Sequence, residues 1–206
     1  MNRVEKLFLF CIIGPIIPIF LFLIGWWTSL FFIEDRIVFL FSLLGLGVGL
    51  VIDIIISKQI AKAYVWNRVL LVVTFMFYSF CTFGFFMGVP IFNLAIGALA
   101  GVFMGRRFYH LGIPQEKLPK AVGKFGLFTA FVMMLFSFAS AYLAIRDNEH
   151  TAHNLQGMFK LPFLPTDKMI MVLIVVGGTG LVLLQYWVSY KLTYWAYGGP
   201  KSDVWG

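Results

Sequence analysis

The sequence predicts an all-α membrane protein, a bundle of six transmembrane helices arranged as three helical hairpins. Three observations lead to this fold class. Six long apolar segments fill most of the 206 residues, and 61% of all residues are hydrophobic while only 12% are charged. The segments approach the roughly 20 apolar residues that one helix needs to cross a bilayer core of about 30 Å. The short breaks between them are alternately rich and poor in lysine and arginine.

The segments form one membrane domain, residues 1–206, because no linker-like or low-complexity tract interrupts the chain. The first span should bend at Pro15 and Pro18, since each proline removes a backbone donor and crowds the preceding turn. A glycine–proline turn at residues 88–90 divides the longest apolar run in two, and the span after it is short, about 22 Å at helical rise. In chain order the predicted spans cover residues 7–30, 37–57, 69–87, 91–105, 125–145 and 169–190.

The distribution of cations predicts the orientation. Twelve of the sixteen lysines and arginines fall at the N-terminus, in the second and fourth breaks and in the tail, whereas four fall in the first and fifth breaks. Because cytoplasmic loops carry the excess of these residues, both termini should be cytoplasmic. The same rule explains the net charge of +7, so we expect membrane lipid and no nucleic acid among the partners. The first apolar run is too long for a secretory signal and should remain as a span, in a bacterial-type plasma membrane.

Small residues recur at every fourth position on the second and fourth spans. Gly45 and Gly49 lie on the second span, and Gly97 and Gly101 follow Asn93 on the fourth. Residues at this spacing share one helix face, and small side chains let membrane helices approach closely. We therefore expect the four glycines to be helix-packing positions.

One carboxylate lies inside the second span. Asp53 is about one turn from the cytoplasmic end, and Arg106 or Arg107 at the same end of the fourth span is its predicted ion-pair partner. Gln185 on the sixth span should lie at a similar depth. A charge at membrane depth is costly unless it is paired, hydrated or protonated. Two interpretations stay open: a structural clamp between helix ends, and a site that couples to protons or cations.

The longest external loop, residues 146–168, is polar in its first half and apolar in its second. His150 and His153 would share a helical face and, with Asp147 and Glu149, offer nitrogen and oxygen ligands to a divalent metal. The glutamate precedes the first histidine, so the H-E-x-x-H protease pattern is excluded. A solvated loop and a lid over an outward-facing pocket are the alternatives. The predicted substrate-binding residues are Asn93, His150, His153 and Asn154.

No catalytic or cofactor motif occurs in the sequence: it has no P-loop, no G-x-S-x-G elbow and no C-x-x-C pair. We therefore expect no cofactor and favour transport over catalysis. In this hypothesis a small-molecule ligand is captured at an external mouth, with an ATPase or another membrane subunit as partner. Two alternatives stay open. One is a membrane-embedded enzyme that uses the external histidines and carboxylates on a lipid or envelope substrate. The other is an accessory protein whose glycine faces bind partner helices.

Overall fold

The computed structural model describes residues 3–32, 35–86 and 88–198, and these ranges contain helices and turns but no strand. Short 3₁₀ turns at Ala63–Val65 and Pro90–Phe92 precede two of the helices. In chain order the α-helices are α1 (Arg3–Ile13), α2 (Ile16–Ser29), α3 (Asp35–Ile55), α4 (Ser57–Ile60), α5 (Arg68–Phe85), α6 (Asn93–His110), α7 (Leu118–Arg146), α8 (Asn148–Phe159) and α9 (Asp167–Gly198).

Six helical segments in the described ranges are long and apolar enough to cross a membrane, which is compatible with a multi-pass integral membrane protein. A polar backbone in lipid must bond within its own segment, and a helix achieves this. The six segments are Arg3–Ser29, Ile37–Ile55, Arg68–Phe85, Pro90–His110, Leu118–Arg146 and Asp167–Gly198.

Several helices continue past the apolar runs that predict them. The helix at the fourth predicted span is longer than its apolar run, because α6 extends through two arginines to His110 and the 3₁₀ turn adds residues before it. Charge ends an apolar run, but arginine is a good helix former and does not end a helix. α6 ends where Gly112 adopts a positive φ of 64° and the Ile113 amide donates to the Phe108 carbonyl at 3.1 Å. Such a left-handed glycine is a common helix stop.

Residues 148–159, which lie in the segment predicted as the external loop, form a helix, α8. The Thr151 hydroxyl donates to the Asp147 carbonyl at 2.8 Å and lies 3.1 Å from the Ala144 carbonyl, which ties the start of α8 to the end of α7. Ala152 is buried. The helix ends at Lys160, whose φ of 50° is left-handed.

The chain divides into two compact units, with the boundary between Thr74 and Phe75 inside α5. In the first unit the helix breaks at Gly14 and Pro15, as the prolines predict, and α2 packs antiparallel on α3. Their backbones touch at glycines: a Cβ on Gly25 would lie 2.7 Å from the Phe41 carbonyl oxygen. Pro18 is tolerated because it lies in the first turn of α2, where no intrahelical donor is required.

In the second unit, which begins at Phe75, α9 packs on both α6 and α7. An aromatic cluster holds α5 on α7, with the Phe83 and Phe136 ring centroids 5.0 Å apart and those of Phe75 and Phe128 5.5 Å apart. A second cluster joins the end of α6 to the start of α7 and to the tyrosines of α9. Its buried members are Phe108, Leu118 and Val122.

Candidate functional site

Helices α6 and α9 meet along two matching stripes. Glycines recur every four residues on α6, and polar side chains recur every four residues on α9, so each set occupies one face. The contacts advance in the same direction along both helices, so α6 and α9 run parallel. In register, the facing residues are Gly97 with Gln185, Gly101 with Ser189, and Gly105 with Thr193.

Gly97 makes the room that the Gln185 side chain occupies. A Cβ added to Gly97 would collide with the Gln185 amide, whereas a Cβ on Gly101 would lie 3.1 Å from the Ser189 carbonyl oxygen. The Gln185 Nε2 donates to Ser189 Oγ at 3.0 Å, and that hydroxyl donates to the Gly97 carbonyl at 3.3 Å. This short chain of hydrogen bonds fixes the position of the glutamine amide near the middle of α9.

Beside this amide, residues of α5, α6, α7 and α9 line a small cavity. With the side chains as they stand, the space does not admit a water molecule. Its apolar lining comes from Phe75, Val132 and Met133. Its polar lining comes from Ser79, Asn93, Thr129 and Gln185, and none of the seven lining residues is charged.

Local structure explains how each polar residue reaches the cavity. α5 ends at a left-handed Gly88, whose amide donates to the Phe83 carbonyl at 2.8 Å, and the turn beginning at Pro90 then places Asn93 as the first residue of α6. Thr129 lies on the inner face of α7, where its hydroxyl donates to the Gly126 carbonyl at 2.9 Å. These side chains therefore come from helix faces that packing already fixes.

Four polar atoms of the lining have no hydrogen-bond partner in the described part of the chain. They are both amide atoms of Asn93, the Gln185 Oε1 and the Ser79 hydroxyl. Asn93 is 4% exposed, and Gln185 and Ser79 are each 1% exposed. Buried polar groups are nearly always paired, and an unpaired one costs about 1–3 kcal/mol. Such a group in a native structure calls for an explanation, such as a functional role, stored strain or a bound water or ion.

The structure brings together only part of the predicted site. Asn93 and Gln185 line the same cavity, although the sequence assigned them to different roles. His153 and Asn154 lie exposed on α8, and neither lines the cavity. His150 Nδ1 lies 2.9 Å from Asp147 Oδ1, with the two side chains 82% and 63% exposed.

The metal hypothesis gains no geometric support. In the described ranges, no three histidine, cysteine, aspartate or glutamate side chains come together as a metal-binding group. Glu149 is exposed on α8. Binding at this external segment stays a prediction.

Asp53 lies in the first unit, against the break between α1 and α2. Its Oδ2 is 3.7 Å from the position that a Cβ on Gly14 would take, and its Oδ1 is buried with no hydrogen-bond partner in the described ranges. Arg106 and Arg107 belong to the second unit, where Arg106 lies 5.0 Å from the centre of the Tyr109 ring and Arg107 is buried. The predicted ion pair would join the two units and stays a prediction.

The packing glycines lie at close helix contacts within each unit. Cβ atoms on Gly45 and Gly49 would collide with the Leu21 carbonyl oxygen and with Pro18 of α2. Gly97 and Gly101 face α9, as described above. Lys201, one of the cations used to predict orientation, lies outside the described residues.

Sequence reasoning missed Ser79, Thr129, Ser189 and Thr193. For the last two a signal exists, since together with Gln185 they form a polar stripe at a spacing of four on an otherwise apolar helix. Isolated serines and threonines such as Ser79 and Thr129 are common in membrane helices, where a hydroxyl can bond back to its own backbone, as that of Thr129 does. Their sequence context gives no sign of a shared cavity.

No protein-family profile matches the chain, and no curated protein or solved structure matches it either. The candidate site therefore rests on its own geometry.

Proposed function

We propose that this chain is a membrane transport protein that binds a small polar solute in the cavity of the second unit. One observation carries the proposal: Asn93 is buried in an apolar helical unit with both atoms of its amide unpaired. A ligand that bonds to this amide, and to the oxygens of Gln185 and Ser79, would satisfy all of them.

The position of the cavity supports a role in passage across the membrane. Ser79, Met133 and Gln185 lie near the middle of α5, α7 and α9, three helices long and apolar enough to span a bilayer. Neutral polar side chains in membrane helices commonly bond across helices, so the unpaired ones here leave bonding capacity for a solute. A mostly apolar cavity with a few convergent polar groups is also the common form of a small-molecule site.

We keep the predicted topology as part of this proposal, with three hairpins and both termini in the cytoplasm. Within the second unit α6 and α9 run parallel and α7 packs antiparallel to α9, which supports a common end for its basic residues. An excess of cations at one end favours the cytoplasmic side for that end. The residues concerned are Arg106, Arg107, Lys117, Lys120, Lys124 and Lys191.

Cysteine labelling in intact cells tests the orientation. A thiol reagent that does not cross membranes should modify His150→Cys from outside the cell and should not modify Gln115→Cys unless the membrane is permeabilised. Gln115 is exposed in the turn before α7, and His150 is exposed on α8, so the reagent can reach both positions. Labelling in the opposite pattern would overturn the proposed topology.

Mass spectrometry of the protein purified in mild detergent tests the function. A small molecule should copurify with the wild type and be absent from Asn93→Leu, which removes the unpaired amide at nearly constant side-chain shape. Asn154→Leu is the matched control, because it makes the same substitution at an exposed asparagine on α8. Loss of the ligand from Asn154→Leu alone would return the binding site to the external segment.

The partner and the two alternative functions are tested by the same preparation. An ATPase pair that copurifies would support a substrate-capturing subunit that borrows a motor. A single larger membrane protein, retained by Asn93→Leu and without any small molecule, would favour the accessory function and contradict transport. The enzyme alternative and the bacterial-type plasma membrane stay predictions from the sequence.

A further inference from the structure

We infer that the cavity of the second unit selects an uncharged solute of a few heavy atoms that both donates and accepts hydrogen bonds, with a primary amide as the best-fitting chemistry. This inference deepens the proposed function and rests on it. Its observations are the polarity of the lining, the inventory of unpaired atoms and the volume of the space.

The lining excludes an ion. None of the seven residues around the cavity is charged, so no counter-ion would offset the loss of the hydration shell. Moving an unpaired charge from water into an apolar surrounding costs far more than moving a neutral polar group. The two carboxamides and two hydroxyls present only partial charges of both signs. A neutral solute with matching partial charges is therefore the chemistry that this lining favours.

The unpaired atoms define which hydrogen bonds the solute makes. Two amide oxygens, on Asn93 and Gln185, need donors, and the Asn93 amide nitrogen needs an acceptor. The Gln185 nitrogen is already bonded to Ser189, and the Thr129 hydroxyl is bonded to its own helix. Exchanging the oxygen and nitrogen of Asn93 would leave the same two unpaired atoms. The Ser79 hydroxyl is also unpaired and can donate. A primary amide carries two N–H donors for the two oxygens, and its carbonyl oxygen has two lone pairs, one for the Asn93 N–H and one for the Ser79 hydroxyl, which complements this set.

The volume limits the size of the solute. With the side chains as they stand, the space has no room for a water molecule, so side chains must shift before a ligand fits. Because the interior is close-packed, such shifts favour a solute of only a few heavy atoms. The ring of Phe75 and the flexible Met133 provide an apolar wall that can move. A short aliphatic amide would place its polar end at Asn93 and its carbon atoms against this wall.

Saturation-transfer difference NMR on the full chain in lipid nanodiscs tests the inference with two isosteric pairs. Acetamide is paired with acetate, and N-methylurea with N-methylguanidinium, so that within each pair charge changes and shape does not. The methyl signals of acetamide and N-methylurea should exceed those with empty nanodiscs for the wild type and for Gln115→Leu, which removes an exposed carboxamide outside the cavity. They should fall to the empty-nanodisc level for Asn93→Leu. The two charged probes should stay at that level throughout.

A second variant keeps the experiment decisive if Asn93→Leu fails to fold. Ser79→Ala removes one unpaired oxygen from the lining and adds no bulk, so it should reduce the acetamide signal while the protein stays folded. An Asn93-dependent signal from acetate or N-methylguanidinium would overturn the inference and still support a small-solute site. The inference would be overturned if neither uncharged probe gave an Asn93-dependent signal. If no molecule copurified either, the proposed function would fall with it.

Discussion

The two glycine stripes have the same spacing but build different interfaces. On α3, Gly45 and Gly49 face the backbone of α2, so a close helix–helix contact is formed without a polar side chain opposite. On α6, the equivalent glycines face Gln185 and Ser189, and the space they leave holds a buried amide. A stripe of small residues therefore sets only how closely two helices approach. Whether the interface contains backbone contacts alone or a buried polar group depends on the side chains of the partner helix.

The largest loss of stability should come from disrupting the contact between α2 and α3. Gly45→Leu would place a branched side chain where the Leu21 carbonyl already lies, and backbone atoms cannot rotate away. We expect the free energy of unfolding to fall by about 3 kcal/mol, the upper part of the usual range for overpacking. Thermal unfolding in detergent measures this change.

Gly47→Leu is the matched control, because no atom lies within 4 Å of the position of its added Cβ. It should leave the unfolding temperature close to that of the wild type. Equal destabilisation by the two variants would show that the contact with α2 does not set the effect.

A smaller effect should come from the polar interface, and it should depend on Gln185. A Cβ on Gly97 meets the far end of a flexible side chain, so Gly97→Ala should cost about 1–2 kcal/mol by displacing the glutamine amide. In a Gln185→Ala background most of this cost should vanish. A double-mutant cycle of unfolding free energies measures the coupling.

Gly123→Ala provides the reference for that cycle, since nothing lies within 4 Å of its added Cβ on α7. There the better helix propensity of alanine should stabilise the protein slightly. Additivity of Gly97→Ala and Gln185→Ala would mean that the α6 stripe packs like the α3 stripe.

The smallest effect on stability should come from the two exposed histidines of α8. His150→Ala combined with His153→Ala should change the free energy of unfolding by less than about 0.5 kcal/mol, because both residues are exposed. If this double variant still binds the copurified solute, the binding site is the cavity and not the external mouth predicted by the sequence. Loss of binding at unchanged stability would revive that mouth.

The fold class and the position of most helices follow from hydropathy, because a lipid-spanning helix leaves a strong local signal. The limits of α6 and the helical state of residues 148–159 do not, since polar and charged residues form helices without leaving such a signal.

The candidate site was predictable in parts. Asn93 and Gln185 stand out as polar residues in apolar runs, but the sequence does not state that they share one cavity. Their proximity depends on the parallel pairing of α6 with α9, which joins residues about ninety positions apart, as the bond from Ser189 to Gly97 shows. Such pairings are decided by packing across the whole unit and not by local pattern.

The most direct test of the central claim compares the stability of two variants of the second unit. If the amide of Asn93 serves a ligand and not the fold, Asn93→Leu should not destabilise the protein. Its free energy of unfolding should equal that of the wild type or exceed it by up to about 1 kcal/mol. Ser189→Ala should instead lose about 1 kcal/mol, because the Ser189 hydroxyl is paired on both sides. Destabilisation of Asn93→Leu to the same extent as Ser189→Ala would show that Asn93 is a structural residue and would contradict the account.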